Sequence, residues 1–237
     1  MSVVAVIPAR YGSTRFPGKP LVDIAGKTMI QRIFEQAVVC RMINEVLVAT
    51  DDERIFDAVR SFGGNVVMTS PDCPSGTDRV AQALADRDAD IVVNIQGDQV
   101  VMDERALSNL VAELLEGAPM ATIAVPADAR DREDPNIVKV VCSRDGFALY
   151  FSRAAIPFER THGNVPALKH IGIYGFQRET LHRFTSMSQS PLELTESLEQ
   201  LRALENGIRI KVIVAQGEFF EINTPSDRER LLRLWQS

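Results

Sequence analysis

The first residues whose types and spacing could do chemistry lie in positions 8–20, directly after the first predicted strand. These thirteen residues include three cations, two hydroxyls and two glycines: Arg10, Arg15, Lys19, Ser13, Thr14, Gly12 and Gly18. Guanidinium groups clamp phosphate oxygens, and glycines let backbone N–H groups approach them closely. The segment matches neither the P-loop nor the dinucleotide-binding glycine pattern. We therefore predict a site for mononucleotide phosphates. The alternative is a solvated basic loop.

A second candidate follows the predicted strand 91–95, where an amide, a glycine and a carboxylate stand in sequence as Gln96, Gly97 and Asp98. Mg²⁺ takes oxygen ligands and often shares phosphate oxygens with a nucleotide. An aspartate at a strand end beside a phosphate-binding loop is well placed to hold that ion. The alternative is an ordinary turn aspartate, which is a common role for this residue. Asp98 is therefore the predicted metal ligand.

The elements that must position these clusters alternate between strand and helix. The run Val3–Ile7 is β-branched and continuous, which is typical of a strand buried on both faces. The predicted strands of the first half are 3–7, 45–49, 65–68, 91–95 and 121–125, and the helices are 28–39, 52–62, 78–84 and 107–114. This alternation predicts an α/β fold with a mainly parallel, Rossmann-like sheet flanked by helices. Ligands bind such sheets at the carboxyl ends of the strands, where both candidate clusters stand.

The second half is less regular and predicts a smaller lobe inserted into this fold. Strands 139–142 and 148–151 flank the hairpin dipeptide Asp145-Gly146. A loop at 156–167, a strand at 171–176, a helix at 192–205 and a strand at 208–214 follow. The apolar stripe predicted for helix 192–205 consists of Leu194, Leu198, Leu201 and Leu204. Thr224-Pro225 begins a last helix, whose apolar side consists of Leu231, Leu232, Leu234 and Trp235.

Composition excludes several classes of protein. The chain has 237 residues, 26 basic and 32 acidic side chains, and a formal net charge of −6. This acidic balance argues against coating of nucleic acid, which needs a basic surface. Three widely spaced cysteines indicate reduced thiols rather than a disulfide framework. Because neither a signal peptide nor an apolar run of about 20 residues is evident, we expect a soluble cytoplasmic protein without membrane insertion.

Several segments, in order along the whole chain, resemble those of the 3-deoxy-manno-octulosonate cytidylyltransferases, also called CMP-Kdo synthetases. The similar segments are 7–21 (IPARYGSTRFPGKPL), 49–52 (ATDD), 75–79 (SGTDR), 94–98 (NIQGD), 148–153 (ALYFSR), 169–175 (KHIGIYG) and 197–202 (SLEQLR). The first segment alone indicates the broader nucleotidyltransferase class. The last three indicate the branch that acts on sugar acids.

This resemblance implies a nucleotide-diphospho-sugar transferase type of fold and the reaction of CTP with Kdo to give CMP-Kdo and pyrophosphate, for lipopolysaccharide or capsule synthesis. It implies Mg²⁺ as cofactor and a homodimer. We expect one nucleotidyltransferase domain over 1–237, with a nucleotide-binding part (1–126), a sugar-acid-binding and dimerisation lobe (127–215) and a C-terminal return to the main sheet (216–237). The implied nucleotide ligands are Ala9, Arg10, Ser13, Arg15, Lys19, Ser75, Gly76 and Arg79, of which Arg10 and Lys19 are also catalytic together with Asp98. The implied sugar-acid ligands are Gln96, Arg153, His170, Tyr174 and Glu199.

The residues themselves are compatible with these roles. A guanidinium such as that of Arg153 can pair with a carboxylate in bidentate geometry. His170 and Tyr174 are four apart on a strand, so we expect them on the same face, within reach of sugar hydroxyls. The alternatives are a structural histidine and, for Glu199, a solvated carboxylate beside the apolar stripe.

Two positions depart from the family pattern. Val100 stands where the family has proline, which relaxes the turn but should leave Asp98 in place. Asn223 stands where the family normally has an aspartate that is expected to be a second metal ligand. The amide still offers one neutral oxygen. We expect weaker metal binding unless another carboxylate, such as Glu221, compensates.

Three functional hypotheses stay open at this point. The first is a cytidylyltransferase for Kdo. The second is the same chemistry on a related acceptor, such as 8-amino-Kdo, a sialic acid or an alditol phosphate. The third is a CTP-binding paralogue without turnover. Release of pyrophosphate from CTP, UTP or ATP with different acceptors separates the three.

Overall fold

The computed structural model describes residues 1–12, 16–161 and 165–236. The strands are β1 (Val3–Ala9), β2 (Asp23–Ile24), β3 (Lys27–Thr28), β4 (Glu45–Thr50), β5 (Asn65–Met68), β6 (Ile91–Ile95), β7 (Gln99–Val101), β8 (Met120–Pro126), β9 (Lys139–Cys142), β10 (Ala148–Ser152), β11 (Leu168–Gln177), β12 (Ile210–Val214) and β13 (Phe220–Glu221). The helices are α1 (Met29–Val39), α2 (Glu53–Ser61), α3 (Gly76–Ala83), α4 (Glu104–Leu115), α5 (Ala129–Glu133), α6 (Arg178–Thr185), α7 (Pro191–Glu196), α8 (Gln200–Glu205) and α9 (Pro225–Gln236), and a short 3₁₀ helix spans Lys19–Leu21.

The chain divides into two compact units. The first contains residues 1–108 and 218–237, and the second contains residues 109–217. The boundaries predicted from the sequence lie at 126/127 and 215/216. The prediction therefore has β8 in the first part of the chain, whereas the structure has it in the second unit. The assignment of one part to the nucleotide and one to the sugar acid stays a prediction. In the described part of the chain, no helix is long and apolar enough to cross a membrane.

The first unit is built on parallel strands in the order β6-β1-β4-β5. Every residue of β1 is buried, as the continuous β-branched run predicts. Parallel pairing aligns the carboxyl ends of these strands at one edge, with Ala9 opposite Thr50 and Val6 opposite Asn94. The predicted α/β class, with mostly parallel strands flanked by helices, is confirmed.

Side-chain caps decide where the helices of the first unit begin. Thr28 Oγ1 accepts a hydrogen bond from the Gln31 amide at the start of α1. Asp52 caps α2 in the same way. Ser75 caps α3 by accepting from the Asp78 amide, so this helix begins two residues before its predicted start. Each cap satisfies a backbone N–H that has no partner within its helix.

The second unit is a mixed sheet in which β8 pairs with β11 antiparallel and with β12 parallel. β9 and β10 form the predicted antiparallel hairpin. Its turn contains Gly146 at φ 79°, a left-handed conformation that glycine adopts without steric cost. β11 also pairs with β9, which joins the hairpin to the rest of this sheet.

The prediction of a single helix over 192–205 is wrong. The structure has two short helices, α7 and α8, separated by Ser197 at φ 53°. Ser190 and Glu193 form a capping box that begins α7, and the left-handed Ser197 ends it. The leucines spaced at helical intervals therefore do not share one stripe: Leu194 is 60% exposed, whereas Leu201 is fully buried.

The apolar side predicted for the last helix is only partly buried. Leu231 is 2% exposed, but Leu234 and Trp235 are 57% and 44% exposed. Trp235 instead lies under the Arg32 guanidinium, 5.0 Å from the ring centroid. The predicted helix start is confirmed, since the Asp227 carboxylate accepts from the Thr224 amide at 2.8 Å and the Asp227 amide donates back to Thr224 Oγ1 at 3.3 Å.

Candidate functional site

A backbone hydrogen bond joins Tyr11 and Gly18 of the predicted phosphate loop, which is residues 8–20. Ala9 is the last residue of β1, and Arg10 after it is exposed. The Gly18 amide donates to the Tyr11 carbonyl at 3.0 Å, which closes the loop at its base. Gly18 has φ 70°, and a Cβ there would lie 3.1 Å from the Tyr11 ring. Ser13 and Arg15 lie outside the described residues.

The Tyr11 ring also contacts a cation. The Arg54 guanidinium lies 3.3 Å from the Tyr11 ring centroid. It also donates two hydrogen bonds to the Asp52 carboxylate at 3.0 and 2.7 Å. The hydrogen bonds from Arg54 lower the pKa of Asp52. The start of α2 is thereby connected to the base of the phosphate loop.

Lys19 and Asp98, both predicted to be catalytic, are brought together. Their Nζ and Oδ2 atoms lie 3.4 Å apart, and the side chains are 16% and 29% exposed. The Asp98 carbonyl accepts from the Ile222 amide at 3.0 Å. β7, which starts at the next residue, pairs with β13. This pairing places residues 98–101 beside 220–223.

Polar side chains from distant segments therefore lie near one another. Asn223 Nδ2 lies 3.4 Å from Glu221 Oε2, and Gln99 Nε2 donates to the other Glu221 oxygen. Burial and then the charge of Asp98 raise the pKa of Glu221 to about 7. Two carboxylates and an amide oxygen suit a hard cation such as Mg²⁺, so the donor set fits the implied metal. Within the described ranges, no group of three His, Cys, Asp or Glu side chains forms a metal cluster.

Sequence reasoning missed Gln99 as a member of this set. Its side chain is fully buried, and its Oε1 atom has no hydrogen-bond partner among the described residues. A glutamine that directly follows a turn aspartate carries no signal of burial. The short strands β7 and β13 that bury it are too brief to show a period in the sequence.

The residues predicted to face the base lie at the start of α3. Ser75 Oγ donates to the Asp78 carboxylate at 2.7 Å, within the cap of this helix. A Cβ at Gly76 would lie 3.4 Å from Gln96 Oε1, so Gln96, which follows β6, lies within van der Waals contact of the start of α3. Gln96 itself donates to Asn94 Oδ1 at 3.3 Å. The structure therefore places Gln96, predicted for the sugar acid, beside the residues predicted for the nucleotide.

Arg79 has an internal role in the structure. Its guanidinium donates to Thr69 Oγ1 at 2.6 Å and to the Asp51 carboxylate at 2.7 Å. The side chain is 5% exposed. These contacts connect α3 to the ends of β4 and β5. Contact of Arg79 with a cytosine stays a prediction.

The histidine and the tyrosine predicted for the sugar acid lie together in the second unit. The rings of His170 and Tyr174 are 5.3 Å apart, and Phe151 packs edge-on against His170 at 5.1 Å. Residues four apart on a regular strand are about 13 Å apart. The pairing of β11 with β8 shifts register between Ile171 and Tyr174, and this irregularity accompanies the short ring distance.

His170 is neutral in this environment. Its Nε2 atom lies 2.9 Å from Thr122 Oγ1, and Thr122 also donates to the Ile173 carbonyl at 2.7 Å. Burial lowers the pKa of His170 to about 3, because the charged imidazolium would lose its hydration. A neutral imidazole has one donor and one acceptor nitrogen, so it can orient a hydroxyl without adding charge.

Arg153 and Glu199 belong to the same unit. The Arg153 side chain donates to the carbonyls of Glu196 and Pro135 at 2.9 and 3.2 Å. Glu199 stands between α7 and α8, with its carboxylate 3.8 Å from the Arg202 guanidinium. Beside it, Gln200 is 3% exposed, and its Nε2 atom lacks a hydrogen-bond partner in the part of the chain that the structure describes. That buried donor is a second feature that the sequence did not reveal.

The chain matches a family and several relatives over nearly its whole length. A family model described as cytidylyltransferase matches residues 4–210. An 8-amino-3,8-dideoxy-manno-octulosonate cytidylyltransferase from Shewanella amazonensis is 48% identical over 97% of both chains. A 3-deoxy-manno-octulosonate cytidylyltransferase from Trichlorobacter lovleyi is 45% identical over 96% of both chains.

Solved structures agree with this assignment. A CMP:2-keto-3-deoxy-manno-octonic acid synthetase complexed with CTP superposes with a TM-score of 0.94 at 41% identity, covering 100% of this chain and 99% of that one. A putative glucose-1-phosphate thymidylyltransferase from Bacillus anthracis shares the fold, with a TM-score of 0.70 at 16% identity over 98% and 95% of the two chains. By the family match and these full-length identities, the chain belongs to the cytidylyltransferase family.

Proposed function

We propose that this enzyme transfers CMP from CTP to Kdo, giving CMP-Kdo and pyrophosphate for lipopolysaccharide or capsule synthesis. The observation that carries the proposal is the near-complete superposition on a synthetase of this type that holds CTP. The names of relatives at 45% identity, such as the protein from Trichlorobacter lovleyi, support the same acceptor.

The proposed chemistry is an in-line attack by the anomeric hydroxyl of the sugar on the α-phosphorus of CTP, with pyrophosphate as leaving group. The reacting centre is crowded with negative charge, so catalysis rests mainly on positioning and charge neutralisation. Lys19 and Arg10 are proposed to supply positive charges that neutralise this negative charge. Ser13 and Arg15 of the same loop are proposed to supply further contacts. Ala9, Ser75, Gly76 and Arg79 are proposed to contact the rest of the nucleotide.

Magnesium is the proposed cofactor, held by the Asp98 carboxylate and the Asn223 amide oxygen. Glu221 contacts both Asn223 and Gln99, and it is proposed to supply the negative charge that the asparagine lacks. The ion, when bound, neutralises charge on the phosphate oxygens. The Lys19 ammonium, 3.4 Å from the Asp98 carboxylate, is proposed to add a second positive charge next to the metal.

The sugar acid is proposed to contact Arg153, His170, Tyr174 and Glu199, together with Gln96. The neutral imidazole of His170 suits a hydroxyl rather than the carboxylate of the substrate. Arg153 suits the carboxylate, since a guanidinium has five N–H donors and its described side-chain contacts are all to backbone carbonyls.

A second acceptor is favoured by one observation. Two relatives named 8-amino-3,8-dideoxy-manno-octulosonate cytidylyltransferases, from Shewanella amazonensis and Shewanella frigidimarina, are 48% and 46% identical to this chain. The 8-amino analogue differs from Kdo at the carbon farthest from the carboxylate. We therefore propose the same chemistry on this analogue as the alternative.

Pyrophosphate release is the decisive measurement. The purified enzyme is incubated with Mg²⁺, one of CTP, UTP or ATP, and one of Kdo, 8-amino-Kdo or a sialic acid. We expect release with CTP and one of the two octulosonates, at least tenfold faster than with any other pairing. Binding of CTP without release for any acceptor would contradict the proposal and favour a paralogue without turnover.

We also propose a homodimer that works in the cytoplasm, where CTP is made. The second unit exposes large apolar side chains, with Phe158 at 88%, Leu149 at 62% and Leu194 at 60% exposure. Where such side chains form a contiguous patch, they mark a contact site for a partner. Light scattering should give twice the mass of 26.2 kDa, and a monomer at micromolar concentration would contradict the dimer.

A further inference from the structure

Residue 153 is restrained from three directions. Its amide donates to Glu196 Oε2 at 3.0 Å, and its carbonyl accepts from Lys139 Nζ at 2.5 Å. Its guanidinium donates to the carbonyls of Glu196, Pro135 and Ser197 at 2.9, 3.2 and 3.5 Å. The backbone and the side chain of Arg153 are therefore both held in place.

Lys139, whose ammonium binds the Arg153 carbonyl, is completely buried. The Lys139 side chain is 0% exposed, and its ammonium donates to the carbonyls of Asp134, Ile137 and Arg153 at 2.9, 2.7 and 2.5 Å. An ammonium has three N–H donors, so all of them are used on backbone oxygens. No carboxylate is hydrogen-bonded to it among the described residues. Burial lowers the pKa of Lys139, which reflects the cost of holding a charge there.

The Glu196 carboxylate, which binds the Arg153 amide, accepts hydrogen bonds from two successive residues. The Glu196 carboxylate accepts from Ser152 Oγ at 2.6 Å and from the Arg153 amide at 3.0 Å. The neighbouring Glu196 carboxylate contributes to raising the pKa of Tyr150, after burial. The two donors, Ser152 and Arg153, are the last residue of β10 and the residue after it, so one carboxylate at the end of α7 fixes the direction in which the chain leaves the strand.

Lys139 and Glu196 thus each form a hydrogen bond with the backbone of Arg153, and none is described between their own side chains. A buried ammonium that binds carbonyls adds little stability compared with an apolar side chain of the same size. It does specify the positions of the three carbonyls it joins. We propose that Lys139 and Glu196 are positioning residues that hold Arg153 for the carboxylate of the sugar acid. This inference rests on the proposed function.

The test compares two nearly isosteric variants, Lys139→Met and Glu196→Gln, with the wild-type enzyme. Each variant is assayed for pyrophosphate release with the sugar acid and with a neutral analogue whose carboxylate is reduced to an alcohol. We expect KM for the sugar acid to rise at least tenfold, KM for CTP to change less than twofold, and preference for the acid over the alcohol to fall at least fivefold. The matched control is Arg209→Gln, which breaks an exposed ion pair of the same unit, 2.6 Å from Asp145, and should change none of these values.

The outcomes separate this inference from the proposed function. If the wild-type enzyme releases no pyrophosphate with any sugar acid, the proposed function and this inference both fall. If the wild type is active but both variants raise the two KM values equally, or keep the preference for the acid, the inference alone is wrong. Should Lys139→Met or Glu196→Gln not fold, Ser152→Ala decides: it removes one donor to Glu196, and we expect KM for the sugar acid to rise about threefold. An unchanged preference in Ser152→Ala would overturn the inference.

Discussion

Lys19 and Asp98 lie 79 residues apart in sequence, yet the Lys19 ammonium is 3.4 Å from the Asp98 carboxylate. Lys19 begins the 3₁₀ helix at the end of the predicted phosphate loop, and Asp98 lies just after β6. The carboxylate therefore holds the cation at the end of the parallel strands, where the reaction is proposed to occur.

Asp98→Asn should reduce kcat/KM by roughly 10²-fold or more, because it removes an anionic oxygen from the metal set and the counter-ion of Lys19. Pyrophosphate release at saturating Mg²⁺ measures the effect. Asp145→Asn, at an exposed position of the second unit, is the control. Activity within twofold of wild type for Asp98→Asn would contradict both roles of this carboxylate.

Gly18→Ala should raise KM for CTP several-fold, whereas Gly26→Ala should not. Both glycines have positive φ, at 70° and 82°, so each substitution carries a similar backbone cost of about 1–2 kcal/mol. A Cβ at position 18 would also lie 3.1 Å from the Tyr11 ring, whereas one at position 26 has nothing within 4 Å. Urea unfolding and CTP kinetics of the two variants separate strain from the effect on the loop. Equal values of KM would show that the Tyr11 contact does not shape the nucleotide site.

Asn223→Asp should lower the Mg²⁺ concentration for half-maximal rate, and Glu221→Gln should raise it by roughly tenfold. Without metal, an aspartate at 223 would face the Glu221 oxygen that now lies 3.4 Å from the amide nitrogen. The variant should therefore gain more thermal stability from added Mg²⁺ than the wild type does. Mn²⁺ binding measured by electron paramagnetic resonance gives a readout independent of activity. If neither substitution changes metal affinity, positions 221 and 223 are not part of the metal site.

The free energy of unfolding should fall as pH falls below 6.5, with a contribution from His170. Burial lowers the pKa of the folded protein's His170 from 6.5 to about 3, so between these values the unfolded chain binds a proton that the folded chain does not. Linkage gives a loss of about 2 kcal/mol by pH 5. His170→Gln should remove this component of the pH dependence in urea titrations, with His182→Gln as the control at an exposed position. The same slope in His170→Gln and wild type would contradict the assignment.

Arg79→Met should reduce the free energy of unfolding by about 3 kcal/mol, because it leaves the largely buried Asp51 carboxylate without its partner. Asp51→Asn combined with Arg79→Met should cost less than the sum of the single changes. The control is the ion pair of Arg209 and Asp145, whose side chains are 59% and 60% exposed. The same double-mutant cycle on this pair should give a coupling energy of less than about 1 kcal/mol. Equal coupling energies in the two pairs would show that burial does not strengthen the internal one.

Periodicity and caps predicted most of the first unit because both are local properties. β1 is a continuous apolar run rich in Val and Ile, and Thr28, Asp52 and Ser75 cap helices within three residues of themselves. The prediction of one helix over 192–205 was wrong because its break is not marked by a local pattern. Its leucines keep a helical spacing across Ser197, and the left-handed conformation of that residue has no marker in the sequence.

The candidate site was predictable in its residue types but not in its contacts. Arg10, Lys19 and Asp98 could be chosen because cations, glycines and a carboxylate stand at strand ends. Arg79 could not be recognised as a partner of Asp51, since the pairing depends on how α3 packs beside β4. Gln99 and Lys139 gave no signal, because burial of a polar side chain is decided by neighbours far along the chain.

By itself, the sequence determined the α/β class and the basic loop after β1, since both depend on residue types and on spacing within a few turns. The loss of a carboxylate at Asn223 follows from the resemblance to the family pattern. Only the tertiary structure decided that Asp98 lies beside Lys19 and residues 221–223, and that Arg153 is held by Lys139 and Glu196. These contacts join segments from 14 to more than 100 residues apart. Their distances follow from the packing of whole elements, which no local pattern of residues specifies.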